Sequence, residues 1–249
     1  MKHILQLLII SLLFSCAEQE ESKEYFSPEL IAHAGGAIDS CIYTNSREAL
    51  EQAFEKGYRF IELDLLLTCD SVLVAAHSWG EFNQMTDSAH LGDTAPAFSD
   101  FASRKILGRY TPLSAHDINS FFEQHDSIFL VTDKVSSLDI LSENFPEIKE
   151  RMVVEAFSYH DYCRLKDHGY FRVFYSCLAQ DLTATVLRNL SSVEWMALHT
   201  SVLDNPLFRL MNKLWDFNIA LFTVDDKESF NAIQDERVKM VYTNFILPP

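Results

Sequence analysis

Phe60-Ile61-Glu62-Leu63-Asp64-Leu65-Leu66-Leu67-Thr68-Cys69-Asp70-Ser71-Val72-Leu73-Val74-Ala75-Ala76-His77-Ser78-Trp79 carries three reactive side chains in two adjoining apolar runs. Alternation along a strand places Glu62 and Asp64 on one face, with Phe60 and Leu66. Carboxylates inside an apolar strand are costly to bury unless a cation or strong donors meet them. The run offers no basic residue, so the pair points to a hard metal ion. The second run, Ser71 to Ser78, follows too closely for a parallel crossover and predicts a hairpin. With Cys69 and Asp70 as its two loop residues, 68 pairs with 71 and 62 with 77. His77 then stands opposite Glu62 on the same face, where a histidine beside a bound cation is a candidate for acid/base chemistry. The plain alternative is an amphipathic strand with both acids in solvent and His77 in the core.

Working outward, Leu30 to Gly36 reads as a strand ending at His33 in a glycine turn. Asn45-Ser46 caps a helix from Arg47 to Lys56, with Ala49, Leu50, Ala53 and Phe54 at helical spacing and Gly57 as its stop. Together with the Glu62 strand this is a βαβ unit. Residues Gly80 to Thr111 show little periodicity and predict a long excursion over one mouth of the fold. Beyond it a helix is predicted over Ser114 to Gln124, and a strand from Ser127 ends in Asp133-Lys134. Helices follow at 138–145, 160–168, 182–190, 205–217 and 227–234, and strands at 152–157, 171–177, 195–199, 219–224 and 238–242. With the His77 run assigned to the hairpin, eight parallel strands alternate with helices, the count of a (β/α)8 TIM barrel. In such barrels function sits at the strand C-termini, where His33, Glu62, Asp64 and Asp133 fall.

The 249 residues suit one barrel, and 48% apolar content is enough for a sizeable core. A formal charge of −16 with no Lys/Arg run argues against nucleic acid as a partner. Met1 to Leu13 is a short basic start and an apolar run too short to span a bilayer. Its ending, Leu13-Phe14-Ser15-Cys16, resembles a bacterial lipoprotein signal, with Cys16 as the lipid-bearing N-terminus of an extracytoplasmic protein held at a membrane surface. Residues 17–28 read as an acidic tether, and 29–249 as one domain. Cys41, Cys69, Cys163 and Cys177 allow three pairings, and none forms the C-x-x-C of a structural zinc site.

Ile31-Ala32-His33-Ala34-Gly35-Gly36, Tyr43-Thr44-Asn45-Ser46-Arg47-Glu48-Ala49-Leu50, Glu62-Leu63-Asp64-Leu65, Val74-Ala75-Ala76-His77-Ser78, Leu221-Phe222-Thr223-Val224 and Tyr242-Thr243-Asn244 resemble the glycerophosphodiester phosphodiesterase family. The resemblance runs from about Leu30 to the end and implies a TIM barrel holding one divalent cation, Ca²⁺ or Mg²⁺. Its ligands would be Glu62, Asp64 and a third acid from a later strand, with His33 and His77 as the acid/base pair and a small phosphodiester as substrate.

The chain departs from the family's pattern at four places. Ala34 stands where a phosphate-binding arginine is usual, Thr44-Asn45-Ser46 replaces Glu-Asn-Thr, and His77-Ser78 replaces His-Asp. Glu-x-Lys becomes Thr132-Asp133-Lys134, so alternation turns either Asp133 or Lys134 inward; Asp133 is the better ligand, and Thr132 is the other choice. Without the arginine, transition-state charge would fall on the cation and on the Gly35 and Gly36 amides. The expected function is metal-dependent phosphodiester hydrolysis on glycerophosphodiester-like or lipid-derived substrates. Alternatives are a cyclising phospholipase C-type lyase and a non-catalytic binder of phosphorylated glycan or lipid. Lys134, Glu155 and Phe222 are candidate substrate contacts, against a structural acid at Glu155 and a core ring at Phe222. His199 reads as a capped or exposed histidine that could also line the pocket.

Overall fold

The computed structural model describes residues 27–176 and 189–249. Nine strands form one sheet: β1 (Glu29–Ala32), β2 (Phe60–Leu67), β3 (Leu73–Ala75), β4 (Phe129–Asp133), β5 (Met152–Ala156), β6 (Arg172–Ser176), β7 (Trp195–His199), β8 (Asn218–Phe222) and β9 (Val238–Thr243). All except β3 are parallel, and β1 pairs with both β2 and β9, so eight strands close into a (β/α)8 barrel.

Strand alternation divides the apolar residues into two layers. Ile31, Phe60, Val131, Val153, Phe174, Ala197, Ala220 and Met240 point inward and fill the barrel as a packed plug. The opposite parity, including Ile61, Leu63, Leu130 and Val154, packs against the helices. The first helix, α1 (Arg47–Glu55), is capped by the Ser46 hydroxyl, which accepts from Ala49 N at 3.2 Å. Above the plug, at the strand C-termini, the inward positions change character to Glu62, Asp64, Asp133, Glu155 and Tyr242.

The second run of the opening stretch pairs antiparallel with β2, but one residue out of the expected register: Leu67 faces Leu73, Leu66 faces Val74 and Leu65 faces Ala75. The cause is the connection. Thr68 N donates to Val72 O at 3.0 Å, and the Thr68 hydroxyl bonds Asp70 at 2.6 Å while accepting from Val72 N at 2.9 Å. A wider loop therefore replaces the two-residue turn, and Ala76 rather than His77 meets β2, donating to Asp64 O at 2.9 Å. His77 is not opposite Glu62; it lies past the ladder, free of strand alternation.

The stretch 80–111, expected to be irregular, holds α2 (Trp79–Met85) and α3 (Phe98–Ser103). Phe82 and Phe101 stack with centroids 4.6 Å apart and join Ile106, Tyr110, Val74 and Ala76 in a satellite core. Both rings are essentially buried, each contributing about 1.5–3 kcal/mol. The remaining α-helices among the described residues are α4 (Ala115–Gln124), α5 (Leu138–Asn144), α6 (Tyr159–Lys166), α7 (Pro206–Leu214) and α8 (Lys227–Asn231). Most of the helix expected at 182–190, the N-terminal signal and most of the tether lie outside the described residues. Cys41, Cys69 and Cys163 are free thiols, and Cys177 also lies outside the described residues.

Candidate metal and active site

A cavity of about 240 Å³ opens at the strand C-termini, lined by His33, Tyr43, Glu62, Asp64, His77, Asp133, Lys134, Glu155, His199, Phe222, Thr223 and Tyr242. Glu62 and Asp64 come from β2 and Asp133 from the end of β4, where the parallel register sets Asp64 beside Asp133. One carboxylate oxygen from each of the three acids lies within 4.8 Å of the others. Thr132 has the opposite parity and is fully buried toward the helices.

Glu62 is anchored by Ala34 N, which donates to Oε2 at 2.7 Å, while its buried Oε1 has no hydrogen-bond partner. The buried Oδ1 of Asp133 is likewise unpartnered. Burial, then the neighbouring Asp64 and Asp133 charges, raises the Glu62 pKa well above the carboxylate range. Burial and the Asp64 and Glu155 charges do the same to Asp133. Two orphaned carboxylate oxygens among three crowded acids make a hard, all-oxygen donor set, and the residues fit a divalent cation.

Lys134 also reaches the site, so alternation did not force a choice between it and Asp133. The strand ends at Asp133, Val135 N turns back to Asp133 O at 2.6 Å, and Lys134 takes a left-handed φ of 60°. Its Nζ then lies 3.3 Å from Asp64 Oδ1 and 3.1 Å from Asp133 Oδ2. Burial opposes its charge, but the two acids outweigh that and raise its pKa. Among the described residues it is the one Lys or Arg lining the cavity.

His33 and His77 flank one ring. Tyr43 meets His33 edge-on with centroids 5.0 Å apart and tilts against His77 at 4.6 Å. Burial lowers the His33 pKa, with Asp64 and Asp225 acting against it, and its Nδ1 lies 3.4 Å from the Thr223 hydroxyl. His77 Nδ1 contacts Glu81 Oε2 from the first turn of α2. Glu155 is held by the Tyr242 hydroxyl, which donates to Oε1, and by Ser176; burial still raises its pKa. Phe222 sits at the rim, edge-on to His199 at 5.7 Å. His199 is exposed, accepts from Ser201 N at 3.1 Å and also lines the cavity.

Gly35 and Gly36 are not among the lining residues. The Gly36 amide is committed to His33 O at 2.7 Å, and a Cβ on Gly35 would meet the Ala49 Cβ at 3.0 Å. Their positive φ angles make the turn that aims His33 and Ala34.

Sequence reasoning missed Tyr43, Asn45, Glu81 and Thr223 as parts of the site. Ser78-Trp79-Gly80-Glu81 has the S-x-x-E spacing of a helix N-terminus and could have exposed α2 and with it Glu81. Tyr43 and Asn45 fell within a quoted motif but were read only as the approach to a helix, because each reaches the site through a left-handed backbone in a loop, with φ of 58° and 47°, which strand and helix periodicity do not reveal.

A model described as the glycerophosphoryl diester phosphodiesterase family matches residues 35–173, more than half of the chain. No curated protein matches. Among solved structures, a glycerophosphodiester phosphodiesterase from Parabacteroides distasonis is similar at 19% identity and a TM-score of 0.65, over 88% of this chain and 93% of that one. A glycerophosphoryl diester phosphodiesterase from Agrobacterium tumefaciens, described as putative, gives 14% identity and 0.69, over 88% and 94%. An Oleispira antarctica phosphodiesterase solved with its product sn-glycerol-3-phosphate gives 15% identity and 0.65, over 88% and 94%.

Proposed function

The chain belongs to the glycerophosphoryl diester phosphodiesterase family, whose members are phosphoric diester hydrolases, and from that premise we propose that it hydrolyses glycerophosphodiester-like substrates by acid/base catalysis between His33 and His77. The observation that carries this reading is one cavity in which two imidazoles stand beside three acids, two of them with an orphaned oxygen. A Ca²⁺ or Mg²⁺ ion held by Glu62, Asp64 and Asp133 would supply Lewis-acid stabilisation of the phosphoryl oxygens. Hydrolysis adds water across a P–O bond. One imidazole takes a proton from the water as its oxygen bonds phosphorus, and the other hands a proton to the departing alcohol oxygen. Lys134 gives the cavity its ammonium for a phosphoryl oxygen, and Tyr43 and Phe222 give apolar walls for the organic arms of the diester.

Cys16, carrying a lipid, would hold the barrel at a membrane surface, where lipid-derived diesters are released; incorporation of labelled fatty acid that is lost in Cys16→Ala tests this. The activity test is incubation with glycerophosphodiesters and either cation, reading products by mass spectrometry. The expected outcome is a glycerol phosphate plus a free alcohol, lost in His33→Ala and His77→Ala. A cyclic phosphate product would make the chain a lyase, and calorimetric binding without turnover would make it a binder.

A further inference from the structure

Glu81 has no place in the chemistry derived so far, yet its carboxylate contacts one of the two imidazoles. It lies one helical turn beyond His77, at the start of α2, with Oε2 against His77 Nδ1. The Ser78 hydroxyl donates to the same oxygen at 3.2 Å and accepts from Glu81 N at 3.3 Å, so the helix cap fixes the carboxylate as well as the helix. The helix itself is anchored by Phe82, buried in the satellite core, and by Trp79 packed edge-on to Phe82 at 6.0 Å. Tyr43 covers a face of the imidazole, with centroids 4.6 Å apart. The ring is thus held on an edge and a face by groups outside the metal cluster.

Resting on the phosphodiesterase reading, we propose that Glu81 is the positioning residue of His77: it accepts the Nδ1 proton, fixes the tautomer, and leaves Nε2 as the nitrogen presented to substrate. With Nδ1–H committed to the carboxylate, the catalytic proton enters and leaves at Nε2 alone. The carboxylate balances the imidazolium when both nitrogens carry protons. An aspartate next to the histidine would not be needed for this. Ser78 at that position serves instead to start the helix that delivers Glu81.

The test combines long-range ¹H–¹⁵N NMR of histidine-labelled protein with steady-state kinetics, the His77 signals being identified by their loss in His77→Gln. The expected result is that the neutral form of the His77 ring carries its proton on Nδ1 in the wild type and moves it toward Nε2 in Glu81→Ala. Turnover in Glu81→Ala should fall about 10-fold to 10²-fold with little change in KM, and Glu81→Gln, which keeps an acceptor, should recover part of both. An Nε2–H tautomer in the wild type, or an unchanged tautomer in Glu81→Ala, overturns the assignment. If the wild type turns over no diester, the activity reading fails while the tautomer still decides the role of Glu81.

Discussion

Asn45 and Asp64 exchange two hydrogen bonds: Asp64 N donates to Asn45 Oδ1 at 2.9 Å, and Asn45 Nδ2 donates to Asp64 Oδ2 at 2.9 Å. The fully buried amide thereby fixes how one of the three clustered carboxylates is turned. Asn45 holds a left-handed φ of 47°, which Gly adopts without strain, so Asn45→Gly removes both bonds and spares the backbone. Outer partners of metal ligands typically contribute 10–100-fold in affinity, and Asn45→Gly should weaken Mg²⁺ or Ca²⁺ binding by about that factor in calorimetric titration. Unchanged affinity would remove Asp64 from the ligand set or show that it is held by other means.

Strand alternation made the site's carboxylates legible from sequence. Glu62 and Asp64 share a face by period 2, and parallel register brings Asp133 beside them. The errors came where the chain leaves regular geometry. The connection at 68–72 adds to a two-residue turn and shifts the His77 register, yet His77 enters the cavity because it follows the ladder instead of belonging to it. Lys134 escapes alternation through one left-handed residue, and Tyr43 and Asn45 reach the site in the same way. Satellite packing of Phe82 on Phe101 pairs residues nineteen apart across a segment without obvious periodicity, so it was hidden until the chain was folded.

Metal-free protein should become more stable when Asp133 loses its charge. Burial, with Asp64 and Glu155, raises the Asp133 pKa despite the Lys134 ammonium, so its surroundings disfavour the carboxylate on balance. In Asp133→Asn the melting temperature without metal should rise by a few degrees, about 2–4 °C for each kcal/mol in a chain of this size. The same substitution should abolish the stabilisation by added cation, which for the wild type is about 2.7 kcal/mol at roughly 100 times Kd. Thermal unfolding with and without chelator reads both effects, and a metal-free variant less stable than wild type would contradict the crowding of charge.

The pH dependence of the metal-free protein follows from the same groups. Glu62 and Asp133 have folded pKa values above their unfolded ones, so the folded state holds more protons. Their contribution is fully present below the unfolded values, about 3.9–4.3, and is lost as pH rises through the folded values. Chelated protein should therefore melt higher at mildly acidic pH than at pH 7 or above, and the extra stability from added cation should grow with pH. Chemical unfolding at several pH values, with and without chelator, checks the sign. A chelated protein that loses stability on mild acidification would refute it.

Lys134 separates substrate contact from charge balance within the chain. Its Nζ neutralises Asp64 and Asp133 at 3.3 and 3.1 Å, and it is also the ammonium facing the space beside His33 and His77. Lys134→Met keeps an unbranched stem and imposes the same left-handed backbone, so it isolates the charge. With Ala34 in the position of the family's arginine, no second guanidinium or ammonium lines the cavity among the described residues to replace it. If Lys134 stabilises charge in the transition state, kcat/KM should fall by about 10²–10³, mostly in kcat, at saturating cation. If it only balances the acids before the cation binds, the metal-free melting temperature should drop while kcat at saturating cation stays within about twofold of wild type. We expect the first result, because Lys134 remains a lining residue of the cavity and bound cation takes over the neutralisation of Asp64 and Asp133.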